Sequence, residues 1–307
     1  MLCPPQALVL KLQDGLGNQL FQYAFGRRLA KDRDATLLFD VSWYESDQRP
    51  AQPRQLALRD FQTRGEYYSG PEFRHFWIRP SLIGRCWWRI EQRFLPPHRR
   101  RFVAQHPDDF LRRRRMFDPR MLKVPIDSYL SGWWISPYYF SGAEDELRGD
   151  LVLRTPPSPA ETQMMTRLND SNSVAVHVRR GDYLKHPAIG VLGAEYYRRA
   201  ITFLRSKIPQ PKFFLFSDDL AAATQMLTGI LPAFEALPAD SSRSPAVDLT
   251  LMAACRHFII ANSTFGWWGA WLGRFPTKLV LAPEHWYCGA RVSISDVYPP
   301  EWIKIPD

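Results

Sequence analysis

The chain has 307 residues, enough for one large domain or two of ordinary size. At 45% hydrophobic and 14% aromatic it carries ample material for a core, which excludes a disordered chain. The net charge of +9 is concentrated: Arg74 to Arg120 holds 13 Arg, no Lys and four acids, while 27 basic and 27 acidic residues balance outside it.

In chain order, Ala7 to Leu12 is an apolar run with Lys11 inside it and reads as a strand, not as a signal peptide. Asp14-Gly-Leu-Gly-Asn-Gln19 turns the chain into a helix with apolar residues at Leu20/Phe21, Ala24/Phe25 and Leu29 and basic residues near its end. Ala35 to Phe39 is a second strand, giving a β-α-β start. From Ser42 to about Pro125 prolines and arginines blur any period, and mixed helix and loop are expected. Pro156-Pro157-Ser158-Pro159 is read as a linker. Beyond it, strands at Ser173–Val178, Lys212–Phe216, His257–Ala261 and Lys278–Ala282 alternate with helices at Ala194–Ile208, Leu220–Leu227, Asp248–Arg256 and Thr264–Leu272. Such alternation implies a parallel sheet, and two such halves an α/β protein of two Rossmann-like domains facing across a cleft.

No stretch reaches the ~20 apolar residues that span a bilayer. The four cysteines, Cys3, Cys86, Cys255 and Cys288, are scattered without C-x-x-C spacing, so a reducing cytoplasm is the default and no zinc site or disulfide framework is expected. Three readings of the arginine segment stay open: a solvated basic face, a peripheral membrane contact in which Trp77, Trp87, Trp88 and Phe94 sit among headgroups, and, weakest, a nucleic-acid surface.

Ligands of open parallel sheets bind beyond the carboxyl ends of the strands. Three such ends are polar here: His177-Val-Arg-Arg-Gly-Asp182, Ser217-Asp218-Asp219 and Asn262-Ser263-Thr264. Arg179 and Arg180 offer forked donors to phosphate, and Ser263-Thr264 lie where a helix begins. Any one of these side chains could equally cap a helix or pair with a neighbour. Gly15-x-Gly17 after a strand imitates a dinucleotide turn, but the third glycine is missing and Asn18-Gln19 place bulky amides there, so a nicotinamide cofactor is disfavoured. Asp218-Asp219 lacks the D-x-D spacing of metal-dependent nucleotide-sugar enzymes, and adjacent residues at a strand end point apart, so no metal is expected.

Five segments resemble glycosyltransferase family 11, the bacterial α-1,2-fucosyltransferases: Gly15 to Ala24, Tyr129 to Trp134 with Tyr139-Phe140, His177 to Tyr183 with Tyr196-Tyr197, Phe214 to Asp219, and Asp248 through Asn262-Ser-Thr-Phe-Gly-Trp-Trp-Gly-Ala-Trp-Leu272. Three positions depart from the family pattern: Asp14 and Ile135, where it has Gly and Gln, and Gly266, where it has Ser. The resemblance implies a GT-B-like architecture with an acceptor-binding domain at 1–157, bearing the basic insertion of about 74–120, and a GDP-fucose-binding domain at 158–307. It implies inverting, metal-independent transfer of L-fucose to the 2-hydroxyl of a terminal β-galactoside such as lactose, an oligosaccharide or a lipid-linked repeat unit. Arg179, His177 and Asp182 would then serve catalysis, Asp182 as a brace for the arginines; the general base is left open between Asp14 and no dominant base. Arg180, Asp218, Asp219, Asp248, Asn262, Ser263 and Thr264 would bind the donor, Asp248 through the guanine. Asp14, Gly15, Gly17, Asn18 and Gln19 would line the acceptor side. Transfer to another linkage, and a lectin that binds glycans without catalysis, are the alternatives.

Overall fold

A computed structural model describes residues 6–45, 54–69, 73, 82–105, 115–170, 172–231, 233–237, 243–289 and 294–307. The chain divides into two compact units, Met1–Val152 and Leu153–Asp307.

Unit one is built as β1 (Ala7–Lys11), α1 (Leu16–Arg33), β2 (Thr36–Asp40), β3 (Glu66–Tyr68), α2 (Leu82–Phe94), β4 (Phe102–Ala104), β5 (Ser128–Ser131) and α3 (Glu144–Asp150). All strand pairs are parallel and the order is β3-β2-β1-β5-β4. β1 is the middle strand, and Ala7 to Leu10 are fully buried. That is why its sequence is a continuous apolar run rather than an alternating one. α1 packs closely on this sheet at Gly26, where a Cβ would come within 3.0 Å of Leu37 and 3.1 Å of Leu10. The helix ends at Asp34, which takes a left-handed conformation with φ 49°. The stretch read as mixed helix and loop also supplies β3 and β4, three residues each. Strands this short show no period in sequence.

Unit two runs α4 (Pro159–Asp170), β6 (Ser173–Val178), α5 (Ala194–Arg205), β7 (Lys212–Ser217), α6 (Leu220–Thr228), β8 (Glu235–Ala236), α7 (Pro245–Ala253), β9 (His257–Ile259), α8 (Thr264–Leu272), β10 (Val280–Pro283) and β11 (Ile303–Ile305). Its sheet is again all parallel, in the order β11-β10-β9-β6-β7-β8. The proline run is not a linker throughout. Pro159 is the first residue of α4, and Ser158 and Glu161 cap that helix reciprocally, Ser158 N–H donating to Glu161 Oε2 at 2.7 Å and Glu161 N–H to Ser158 Oγ at 3.3 Å. The units divide instead between Val152 and Leu153.

In unit two the chain leaves β6 in one direction through β7 and β8, then returns to lay β9, β10 and β11 on the other side. The order therefore reverses between β6 and β9. In a sheet of this kind the loops after those two strands diverge to opposite faces and leave a crevice at the carboxyl ends. The fold thus directs attention to the residues that follow Val178 and Ile259.

Candidate functional site

The segment after β6 and the segment after β7 meet through one carboxylate. Asp218 Oδ1 accepts the Arg180 backbone N–H at 3.0 Å, and its Oδ2 pairs with Arg179 Nη1 at 3.2 Å. Gly181 is required for this approach, since a Cβ there would lie 2.3 Å from Asp218 Oδ2. Arg179 Nη2 also donates to Asp182 Oδ1 at 2.6 Å, and the guanidinium lies over the Tyr183 ring, 5.2 Å from its centroid. Burial works against the Arg179 charge, and Asp218 leads the groups that more than restore it, so its pKa stands above the ordinary arginine value. Asp182 is therefore a brace for Arg179.

The guanidinium groups retain unused donors. Arg179 Nε and Arg180 Nε are buried and have no hydrogen-bond partner among the described residues. A buried unpaired donor costs about 1–3 kcal/mol, so a bound water, ion or ligand is called for at each. Tyr183 connects this cluster to the loop after β9: its hydroxyl donates to the Asn262 carbonyl at 3.3 Å. α8 begins two residues later. Ser263 stands at its N-cap position without using its side chain as a cap, and Thr264 opens the helix. The first-turn N–H groups of any helix lack intrahelical acceptors and form the positive end of its dipole.

Other residues anticipated here have been committed to the scaffold. Asp219 Oδ1 accepts from Ala222 N–H at 3.1 Å and caps α6. Asn262 is 1% exposed, and its Nδ2 reaches the carbonyls of Ile189, Gly190 and Trp286, tying two distant loops to β9. These bonds use Asp219 Oδ1 and Asn262 Nδ2, so each side chain has a scaffold role. His177 is buried, its Nδ1 has no hydrogen-bond partner among the described residues, and its ring stacks on Phe265 of α8. Burial, aided by the Arg179 charge, lowers its pKa to about 3. A neutral imidazole cannot act as a general acid near neutral pH. It packs the end of β6 against α8 at Gly266, where a Cβ would stand 2.5 Å from His177 Nδ1. Asp248 lies in the first turn of α7, which packs on α8, and pairs with Arg243 at 2.5 Å.

Sequence reasoning did not assign Tyr183, Gly181 or Arg243. The first two lie inside the His177–Tyr183 run, and their signal was present as spacing. Arg243 carried none.

The corresponding rim of unit one follows β1. Asp14 has φ 66°. Its Oδ2 accepts from Trp133 Nε1 at 2.7 Å and Asn18 Nδ2 at 3.3 Å. Oδ1 has no hydrogen-bond partner among the described residues. Gln19 is fully buried and fully used: Nε2 donates to the carbonyls of Asp14 and Gln55, and Oε1 accepts from Leu58 N–H. Gly15 precedes α1, and Gly17 is buried within its first turn. Among the described residues no three His, Cys, Asp or Glu side chains gather as metal ligands.

The family model of glycosyl transferase family 11 matches residues 7–306. The chain belongs to glycosyl transferase family 11. It is similar to an alpha-1,2-colitosyltransferase of Escherichia coli, 26% identical over 308 residues, covering 97% of this chain and 98% of the relative. Galactoside 2-alpha-L-fucosyltransferase Sec1 of Mus musculus is 35% identical over 145 residues, 44% of this chain and 38% of the relative. Among solved structures, fucosyltransferase NodZ from Bradyrhizobium shares 18% identity at a TM-score of 0.50, over 87% of this chain and 93% of that one. NodZ has also been co-crystallised with GDP. The likeness establishes the fold class, α/β of the GT-B type. The protein is thus a glycosyltransferase.

The low His177 pKa predicts how stability varies with pH. The unfolded imidazole takes up a proton below pH ~6.5 while the folded one resists until about 3, so stability is full above ~6.5 and declines as pH falls. Between pH 7 and 5 this group alone removes roughly 2 kcal/mol. His177→Phe should flatten that part of a melting-temperature profile. A variant profile parallel to that of the wild type would place the acid sensitivity elsewhere.

Proposed function

We propose that the protein transfers L-fucose from GDP-β-L-fucose to the 2-hydroxyl of a terminal β-galactoside, with inversion to an α-1,2 linkage. The observation that carries this reading is the adjacent Arg179-Arg180 pair with unspent buried donors, placed where the strand order of unit two reverses. Forked donors of this kind match the paired oxygens of a diphosphate.

The reaction forms a bond between the acceptor oxygen and the anomeric carbon while the bond from that carbon to the β-phosphate oxygen breaks. The electron pair leaves with GDP, and the acceptor hydroxyl passes its proton to the Asp14 carboxylate or to solvent water. Negative charge grows on the β-phosphate as the sugar becomes oxocarbenium-like. Arg179, fixed by Asp218 and Asp182, is aimed in advance at that charge and needs no reorganisation to meet it. Arg180, the Ser263 hydroxyl and the Thr264 end of α8 hold the rest of the diphosphate. Asp248 suits the guanine N1–H and exocyclic amine, with Arg243 as its support. On unit one, Asp14 is the candidate for the acceptor hydroxyl, because Trp133 and Asn18 hold one carboxylate oxygen and leave the other unbonded. A loose transition state needs little help from a base.

One observation favours a second donor. One relative covering 97% of the chain is a colitosyltransferase. Colitose is fucose without its 3-hydroxyl, and the same diphosphate machinery serves both. Competition between the two GDP-sugars separates these readings.

Arg179→Ala should lower kcat by ~10²–10³ with the fold retained by circular dichroism, and Arg179→Lys should fail similarly, because a point charge cannot replace the fork. Retention of more than about a tenth of the rate by either variant would remove Arg179 from this role. Activity should also survive exhaustive chelation by EDTA, since Asp218 is bonded to Arg179 and Arg180 and Asp219 to the α6 terminus. Loss on chelation with recovery in Mn²⁺ would return those carboxylates to metal binding.

A further inference from the structure

α2 of unit one turns a row of apolar side chains outward. Its inward face mixes the half-buried Trp88 with polar groups: Glu91 is buried and accepts from the Arg101 N–H, while Gln92 Nε2 donates to the Phe102 carbonyl at 3.2 Å and Gln92 Oε1 accepts from Arg100 at 3.2 Å. Its outward face is apolar. Ile83, Trp87, Ile90 and Phe94 follow the i, i+4, i+7, i+11 spacing of a single stripe and are 83%, 53%, 47% and 75% exposed, with Leu82 beside them at 74%. Exposed Cys86 lies on the same side, and exposed Arg89 and Arg93, four residues apart, run along its edge.

Monomeric proteins rarely leave an aligned apolar stripe of this kind in water. Whatever covers it must be apolar and negative together, because the stripe sits within a segment of 13 Arg and four acids. A second copy of this chain would bring two such arginine rows into register and be repelled. Nucleic acid satisfies the charge but offers little to isoleucine, leucine and phenylalanine at helical spacing. A bilayer of anionic lipids supplies both. At 13 residues α2 is about 20 Å long, too short to span and well suited to lie in the interface. No helix among the described residues is long and apolar enough to cross a membrane.

We propose that α2 docks in the plane of an anionic membrane surface, with Ile83, Trp87, Ile90 and Phe94 at the acyl boundary and Arg89 and Arg93 among the headgroups. The inference is independent of the donor sugar.

The test is co-sedimentation of the full chain with vesicles of phosphatidylcholine, with and without phosphatidylglycerol, at low and high salt. The wild type should bind anionic vesicles more tightly than neutral ones and lose that margin in high salt. Trp87→Ser with Phe94→Ser should weaken binding at least tenfold. Arg89→Ser with Arg93→Ser should weaken it about thirtyfold at low salt. Both pairs are exposed, so the melting temperature and turnover of a soluble acceptor should remain. A polarity-sensitive dye on Cys86 should shift to the blue on anionic vesicles. Absence of binding, equal affinity for both vesicles, wild-type binding by the double variants, or an unshifted dye would overturn the proposal. So would a lipid-free, concentration-dependent dimer dissolved by Trp87→Ser with Phe94→Ser, which would place a second copy on the stripe.

Discussion

A guanidinium with only 17% of its side-chain surface in water stays charged only if the protein replaces its hydration, and Arg179 achieves this with Asp218 and Asp182. Much of unit two's rim follows from that requirement. Asp218 must reach across from β7, so position 181 can carry no Cβ, and the backbone at Arg180 is drawn to the same carboxylate. Tyr183 closes the other side and ties the cluster to β9. The result is positive charge held at fixed geometry, with donors left over, beside the first turn of a helix. Such preorganisation distinguishes stabilising a leaving group from merely attracting an anion.

The same economy shapes the rim of unit one, where amides do what ions do in unit two. Gln19 and Gln22 are fully buried, and each bonds segments that are distant in sequence, Gln55 and Leu58 for one and Gly132 for the other. Gln19 bonds the Asp14 carbonyl and Gln22 the Gln13 N–H, on either side of a left-handed turn at Asp14, a conformation that aspartate tolerates better than most residues with a side chain. Aspartate is therefore structurally accommodated at this turn and adds a carboxylate to the rim. Glycine at 266 has a comparable reason. With His177 where it stands, a side chain at 266 would collide with the imidazole.

The legible parts of the sequence were those whose pattern is local. β6 and α8 have the boundaries expected, because a continuous apolar run between polar residues and an N-terminal Ser-Thr step mark their ends without help from the rest of the chain. The edge strands β3, β4, β8 and β11, two or three residues long, exist only because a neighbouring strand offers its hydrogen bonds. Side-chain roles split along the same line. That Arg179 and Asp218 lie close together was legible, because strand ends converge in any parallel sheet; that Asp218 spends its oxygens on the two arginines was not. Whether Asn262 faces a ligand or the scaffold depends on the carbonyls delivered by Ile189, Gly190 and Trp286, which nothing near Asn262 announces. Asp219 could be read either as a ligand or as a cap, and the helix that starts after it shows the cap. In α2 the sequence showed the aromatic and basic composition but not which face turns outward.

The central claim is that the loop after β6 and the start of α8 recognise the β-phosphate of a guanosine diphosphate. Calorimetric titration of the protein with GDP and with GMP tests it directly, since the two differ only by that phosphate. Hydrogen bonds to charged groups contribute roughly 1.5–3 kcal/mol each, so GDP should bind at least ten times more tightly than GMP. Arg180→Ala should narrow the gap. Equal affinities for GDP and GMP would contradict the account.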